Sequence, residues 1–244
     1  MSHTFLSKKF SRARPALRLL VFDLDGTLID SKQDLVMSVN AALRSLGREF
    51  LDAETVSSYV GQGSQVLIQR ALGEGASPEE VARGLQFFLE YYRAHKLDHT
   101  ILYPEVRKTL HRFSNGNRAG ERFLAVLTNK PVRISREILE ELELISLFRC
   151  VYGGNSFETK KPDPAGLRAI LQETGVAPSD AMIVGDSDVD VLTGAAAGIW
   201  TCGVTYGFGK LELESNPPDV RVESLAELAD VLESFSPQSA SASR

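Results

Sequence analysis

Four aspartates, a threonine and a lysine carry the chemistry open to this chain of 244 residues. Asp23 and Asp25 stand two apart directly after the apolar run LLVF, and in extended chain that spacing turns both carboxylates to the same side. One can attack an electrophile while the other moves protons. Asp186 and Asp190 follow a second apolar run, MIV, and Thr128 closes a third, FLAVL. In a parallel sheet these groups emerge at one edge. Four carboxylates converging there raise one another's pKa unless a cation neutralises them, and an all-oxygen donor set selects a hard ion, Mg²⁺, over zinc. Lys161 and Thr128 add a cation and a hydroxyl suited to phosphate oxygens, and Gly26 lets the chain turn sharply after the first pair.

The elements that must position these residues are legible in the hydrophobic pattern. Near-continuous apolar runs at 19–22, 123–127, 182–184 and 199–204, with a weaker one at 150–152, read as strands buried on both faces. Between them fall helical patterns at 106–113, from Pro131 through Ile134, Ile138 and Leu142, at 164–173 with Gly175 at its end, and through the alanines before Gly198. This alternation predicts an α/β fold, a Rossmann-like parallel sheet covered on both faces, with ligands taken beyond the carboxyl ends of the strands. One block departs from it. Residues 31 to about 99 are helical throughout, with Leu35, Val39, Leu43 and Leu46 on one stripe, and Ser77-Pro78-Glu79-Glu80 opens a helix that continues through Val81, Leu85, Phe88 and Tyr92. The predicted organisation is a flexible basic tail over 1–17, a core over 18–30 plus 104–233, an inserted α-helical cap domain over 31–103, and a disordered Ser/Ala-rich tail over 234–244.

With the motifs in view, the chain resembles the haloacid dehalogenase superfamily. DLDGTL at 23–28, TN at 128–129, KP at 161–162 and GDSDVD at 185–190 are similar to its four ordered motifs. The helical insert resembles the small cap of the subgroup containing phosphoglycolate phosphatases, and VGQGSQVLIQRAL at 60–72 and TNKP at 128–131 are similar to segments of those enzymes. The resemblance covers about residues 19–232. It implies a Mg²⁺-dependent phosphatase acting on a small phosphomonoester, 2-phosphoglycolate first among them. Asp23 would be the nucleophile that forms an aspartyl-phosphate, and Asp25 would protonate the leaving oxygen and then deprotonate the attacking water. Asp23, the Asp25 carbonyl and Asp186 would hold Mg²⁺, with Asp190 ligating directly or through water. Thr128 and the Asn129 N–H would hold the phosphoryl group, and Lys161 would offset its charge. Pyrophosphate, sugar phosphates and nucleoside monophosphates are alternative substrates. Phosphoryl transfer to a second hydroxyl, as in sugar phosphomutases of similar build, is an alternative reaction. A non-catalytic binding protein of the same fold could discard the nucleophile, so the intact set of side chains counts against it.

Several residues carry a bland reading beside the functional one. Lys160 reads as a solvated neighbour of Lys161, and Asp188 as a solvated loop carboxylate. Gly61 and Gly63 could merely separate two helices, but a loop bracketed by glycines allows close backbone approach to a small ligand, so they are candidate substrate contacts. Arg70 and Lys130 read equally as substrate contacts or as surface cations. His3, His95, His99 and His111 show no metal spacing and receive no role.

Composition narrows the class further. A formal net charge of -5 argues against a whole-protein grip on nucleic acid or on an anionic membrane, so the expected partner is a small phosphorylated substrate, with the chain a monomer or homodimer. No stretch approaches the roughly 18 to 20 apolar residues of a membrane span. Cys150 and Cys202 lie in or beside strand-like runs, so buried thiols in a reducing, cytoplasmic setting are expected rather than disulfides. Lys8, Lys9, Arg12, Arg14 and Arg18 precede the first acidic residue, Asp23, a faintly transit-peptide-like bias without an amphipathic helix, and so read as a frayed tail.

Overall fold

The computed structural model describes residues 4–115 and 122–235. Its main sheet has seven strands, in the spatial order β1 (Phe5–Leu6), β9 (Val220–Val222), β8 (Trp200–Val204), β7 (Ala181–Gly185), β2 (Leu19–Phe22), β5 (Phe123–Leu127) and β6 (Cys150–Tyr152). All neighbours are parallel except β1, which runs antiparallel to β9. β2 is central because every residue of LLVF is buried, and the alternation of its side chains splits the core in two. Leu20 and Phe22 join one cluster, while Leu19 and Val21 join the other with Leu167 and Ile170 of α8 (Ala165–Thr174). The register sets Phe22 against Val126 on one side and Val184 on the other. The next residues along the three strands therefore lead together into the loops that carry Asp23, Thr128 and Asp186.

Helices α6 (Val106–Ser114), α7 (Val132–Glu141), α9 (Asp188–Ala197) and α10 (Leu225–Ser234) complete the cover of this sheet. The inserted cap holds α2 (Lys32–Ser45), α3 (Ala53–Ser58), α4 (Ser64–Leu72) and α5 (Pro78–His95). α5 starts with Pro78 at its first position, and Ser77 Oγ accepts the Glu80 N–H at 3.2 Å. Leu35, Val39 and Leu43 bury the inner stripe of α2.

Two strands that the hydrophobic pattern does not reveal join cap and core. β3 (Ile29–Asp30) and β4 (Ile101–Leu102) form an antiparallel pair where the chain leaves and re-enters the sheet. Beside them the buried Asp34 accepts from His99 N, Thr100 N and Thr100 Oγ1 at 2.7–3.1 Å, so the start of α2 is tied to the returning strand.

The N-terminal segment corrects an expectation. Residues 4–17, read from sequence as a frayed basic tail, instead add β1 to the sheet edge and form α1 (Lys8–Ala13). Phe10 is fully buried, edge-on to Trp200 at 5.2 Å between ring centroids and 5.4 Å from Phe235. Its basic neighbours fringe this anchor, with Lys9 Nζ 4.7 Å above the Trp200 ring. Phe235 also brings the folded chain one residue past the end of α10, within the span read as a C-terminal tail. Residues 1–3 of the basic tail, His3 among them, and 236–244 of the other tail lie outside the described residues. Among the described residues no helix is long and apolar enough to cross a membrane.

Candidate active site

The site lies past the carboxyl ends of β2, β5 and β7. After β2 the chain makes a tight turn in which Leu28 N and Ile29 N both donate to Leu24 O, and Gly26 sits at φ +77°. A Cβ on Gly26 would come within 1.9 Å of Asp186 Oδ2, so only glycine allows the turn to approach that carboxylate. Gly209 N, from the loop after β8, donates to the same oxygen at 2.6 Å.

Asp23, Asp186 and Asp190 are buried, and each offers a carboxylate oxygen within 4.8 Å of the others. Lys161 Nζ reaches into the group from the segment before α8, 3.0 Å from Asp23 Oδ1 and 2.6 Å from Asp190 Oδ1. Burial, with the Asp190 charge, pushes the Asp23 carboxyl up to about 6 against the opposing pull of Lys161. Asp186 is held well above the usual carboxylate range, first by burial and then by Asp190 and Asp23. Burial alone would lower the Lys161 ammonium, but Asp190 and Asp23 reverse this and push it up to about 12. Three acids thus share one cation, and the surplus negative charge suits a further positive ion. The donors are all oxygens, and the cluster is buried. Such a set fits a hard divalent cation and not a thiolate- or imidazole-selecting metal. Asp190 is the most constrained of the three, since Ser187 Oγ and N donate to its Oδ2 at 2.7 and 3.3 Å while Lys161 holds Oδ1.

Asp25 stands apart from that cluster. Its two carboxylate oxygens accept from Lys130 Nζ at 2.9 and 3.0 Å, and Ser31 Oγ donates to Oδ1. The Lys130 ammonium also donates, at 2.7 Å, to Tyr92 Oη of α5 in the cap. Burial alone would lower this ammonium, yet Asp25 and Tyr92 hold it above the usual lysine range. Burial also pushes the Tyr92 phenol up to about 12.

The cap closes the site from above. Asn129 Nδ2 donates to Gly61 O at 2.8 Å and to Lys161 O at 2.9 Å, bridging the cap loop and two core loops. Gly63, at φ +89°, comes so near that a Cβ there would lie 3.1 Å from Lys160 Nζ and 3.2 Å from Asn129 O. Beneath lies a cavity of about 560 Å³, lined by Asp23, Asp25, Thr128, Asp186, Gly61 and Arg70 among others. Arg70 Nη2 donates to Gln62 Oε1 at 3.0 Å on this loop.

The structure therefore brings together Asp23, Asp25, Thr128, Asn129, Lys130, Lys161, Asp186 and Asp190, and it sets Gly61, Gly63 and Arg70 on the cap side of the same cavity. Lys160 is exposed, as expected, whereas Asp188 is half-buried and accepts Glu212 N at 2.6 Å, which corrects its reading as a solvated carboxylate. Sequence reasoning missed Ser31 and the catalytic-side contact of Tyr92. Ser31 directly follows β3 and carries no signal of its own in the sequence. Tyr92 was visible only as one apolar position of an α5 stripe.

A mostly parallel Rossmann-like sheet with an inserted helical cap and a buried acidic cluster at its strand ends is the frame of a capped α/β enzyme. The chain belongs to the haloacid dehalogenase-like hydrolase family, whose pattern it matches over residues 20–204. It is 40% identical to the phosphoglycolate phosphatase of Pseudomonas savastanoi pv. phaseolicola over 207 residues, covering 82% of this chain and 74% of that protein. It is 37% identical to the phosphoglycolate phosphatase of Vibrio parahaemolyticus over 225 residues, covering 88% and 96%. A crystal structure described as a predicted phosphoglycolate phosphatase from Haemophilus somnus 129PT superposes with a TM-score of 0.81 at 30% identity, covering 88% of this chain and 98% of that one.

Proposed function

We propose that this chain hydrolyses 2-phosphoglycolate, releasing glycolate and inorganic phosphate through an aspartyl-phosphate on Asp23. The observation that carries the proposal is the Asp23–Lys161 pair inside the acidic cluster, under a cap loop held to the core by Asn129. Leu24 N and Lys161 Nζ both donate to or pair with Asp23 Oδ1, at 2.7 and 3.0 Å. An Asp23 carboxylate oxygen attacks phosphorus, and the bond to the glycolate oxygen breaks as Asp25 delivers a proton to it. Asp25, now ionised, takes a proton from water, whose oxygen attacks the same phosphorus and frees Asp23. Thr128 and the Asn129 N–H hold the phosphoryl oxygens, and Lys161 compensates the charge gathering around Asp23.

The carboxylates of Asp23 and Asp186, the Asp25 carbonyl, and Asp190 directly or through water would hold Mg²⁺. That ion, when bound, supplies charge neutralisation for the nucleophile and the phosphoryl group. Residues 31–103 serve as a mobile cap that excludes bulk water during attack, with hinges beside β3 and β4. Gly61, Gly63 and Arg70 are its substrate-facing contacts. The test is phosphate release from a panel of 2-phosphoglycolate, pyrophosphate, sugar phosphates and nucleoside monophosphates with Mg²⁺. The highest kcat/KM is expected on 2-phosphoglycolate. A clear preference for another member would reassign the substrate, and release from none would overturn the phosphatase assignment.

A further inference from the structure

Lys130 Nζ is held within the folded chain by two residues. It lies 2.9 and 3.0 Å from the two Asp25 oxygens and donates to Tyr92 Oη at 2.7 Å. The ammonium also lies 4.4 Å from the centroid of the Tyr92 ring. Lys130 and Tyr92 are both buried.

The three residues come from different parts of the molecule. Asp25 lies in the turn after β2, Lys130 in the loop after β5, and Tyr92 on α5 of the cap. The Tyr92 ring is itself fixed, stacked on Phe88 one helical turn earlier at 5.5 Å with 4° between planes. On its other side Asp25 accepts from Ser31, the residue that opens α2. Of the two groups on the Asp25 carboxylate, Ser31 stands at the hinge, and Lys130, from the core, is itself tied to the cap through Tyr92.

We infer that Tyr92 and Lys130 are positioning residues for proton transfer: with the cap closed, Tyr92 fixes Lys130, and Lys130 fixes the Asp25 carboxylate in the orientation that serves the leaving oxygen. The inference rests on the role of Asp25 in the proposed phosphatase reaction. As Asp25 gives up its proton it becomes a carboxylate, and the cation beside it is Lys130. Opening the cap withdraws the Tyr92 hydroxyl and frees Lys130 to leave Asp25, so proton delivery is coupled to closure over a bound substrate.

The test uses aryl phosphates of similar size and graded leaving ability, from phenyl phosphate through nitrophenyl to dinitrophenyl phosphate. A poor leaving group needs its proton and a good one does not, so the series reads proton delivery separately from binding and folding. Tyr92→Phe keeps the ring and removes only the hydroxyl. Its kcat/KM is expected to fall about tenfold on phenyl phosphate and less than about twofold on dinitrophenyl phosphate, the size expected for one charge-assisted hydrogen bond. In an Asp25→Asn background the same substitution should add no further loss, because the group it positions is gone. Lys130→Gln, assayed the same way, is expected to steepen the dependence at least as much. Equal losses along the whole series, or a full further loss in the Asp25→Asn background, would overturn the inference while leaving the phosphatase assignment standing. Failure of the wild-type chain to hydrolyse any member of the series or of the natural panel would overturn both.

Discussion

Lys161 Nζ lies 3.0 Å from Asp23 Oδ1 and is itself buried, so the nucleophile and its counter-charge are taken out of water together. Three buried carboxylates depend on this ammonium, and removing it leaves them uncompensated. Lys161→Met is expected to lower kcat at least about a hundredfold. Without metal it should also destabilise the fold by about 3 to 5 kcal/mol, the cost of breaking a buried pair from one side. Thermal melts with and without Mg²⁺ check the second part, since added Mg²⁺ should recover a share of the lost stability.

Metal removal should abolish activity without unfolding the chain, because buried apolar side chains of the sheet and its covering helices form the core. The pH dependence has a definite sign. Asp23 is pushed up to about 6 in the folded chain from an ordinary 3.8, and Asp186 moves the same way. The folded state therefore holds protons that the unfolded state has lost, and the stability of the chelator-treated protein falls as pH rises from about 4 through about 6. Mg²⁺ takes the ionised carboxylates, so its stabilising shift in Tm should be larger at pH 7.5 than at about pH 5. A Mg²⁺ shift that is equal at both values would show that these carboxylates do not hold the ion.

Gly63→Val tests the cap loop. Valine strains at φ +89°, and its Cβ would press within 3.2 Å of Asn129 O, on the bridge that joins cap and core. The kcat/KM on 2-phosphoglycolate should drop about tenfold to a hundredfold. A small aryl phosphate that engages fewer cap contacts should lose less. Equal losses on both substrates would remove this loop from specificity.

Phe10→Ala tests the N-terminal anchor. A fully buried aromatic against Trp200 and Phe235 is expected to cost about 3 to 5 kcal/mol when truncated, seen as a lowered Tm. An unchanged Tm would return residues 4–17 to the status of a loose tail.

The contrast between these residues shows what a sequence exposes. Asp23, Thr128 and Asp186 each end a continuous apolar run, so local pattern alone sets them at strand ends, and a shared parallel sheet brings them together. Lys161 was separable from Lys160 only by its place before Pro162 within a motif. Tyr92 was hidden because Phe88 and Tyr92 share one helical stripe, and a stripe reads as core. What sends its hydroxyl to Lys130, 38 residues away, is the seating of the cap on the sheet, which no local period encodes. Phe10 was hidden for a simpler reason, since a helix of six residues is too short to show a period and its basic neighbours dominate the composition. β3 and β4 contribute two residues each, below any pattern, and owe their pairing to the closure of the intervening cap.

The most direct measurement is an acid-quenched turnover with Mg²⁺ and 2-phosphoglycolate carrying radiolabelled phosphorus, followed by peptide mapping of the labelled protein. The expected result is label on the peptide containing Asp23, no label in Asp23→Asn, and loss of phosphate release by that variant with an unchanged melting profile. Label on another residue, or Mg²⁺-dependent phosphate release by Asp23→Asn at a rate near that of the natural chain, would contradict the assignment of Asp23 as nucleophile.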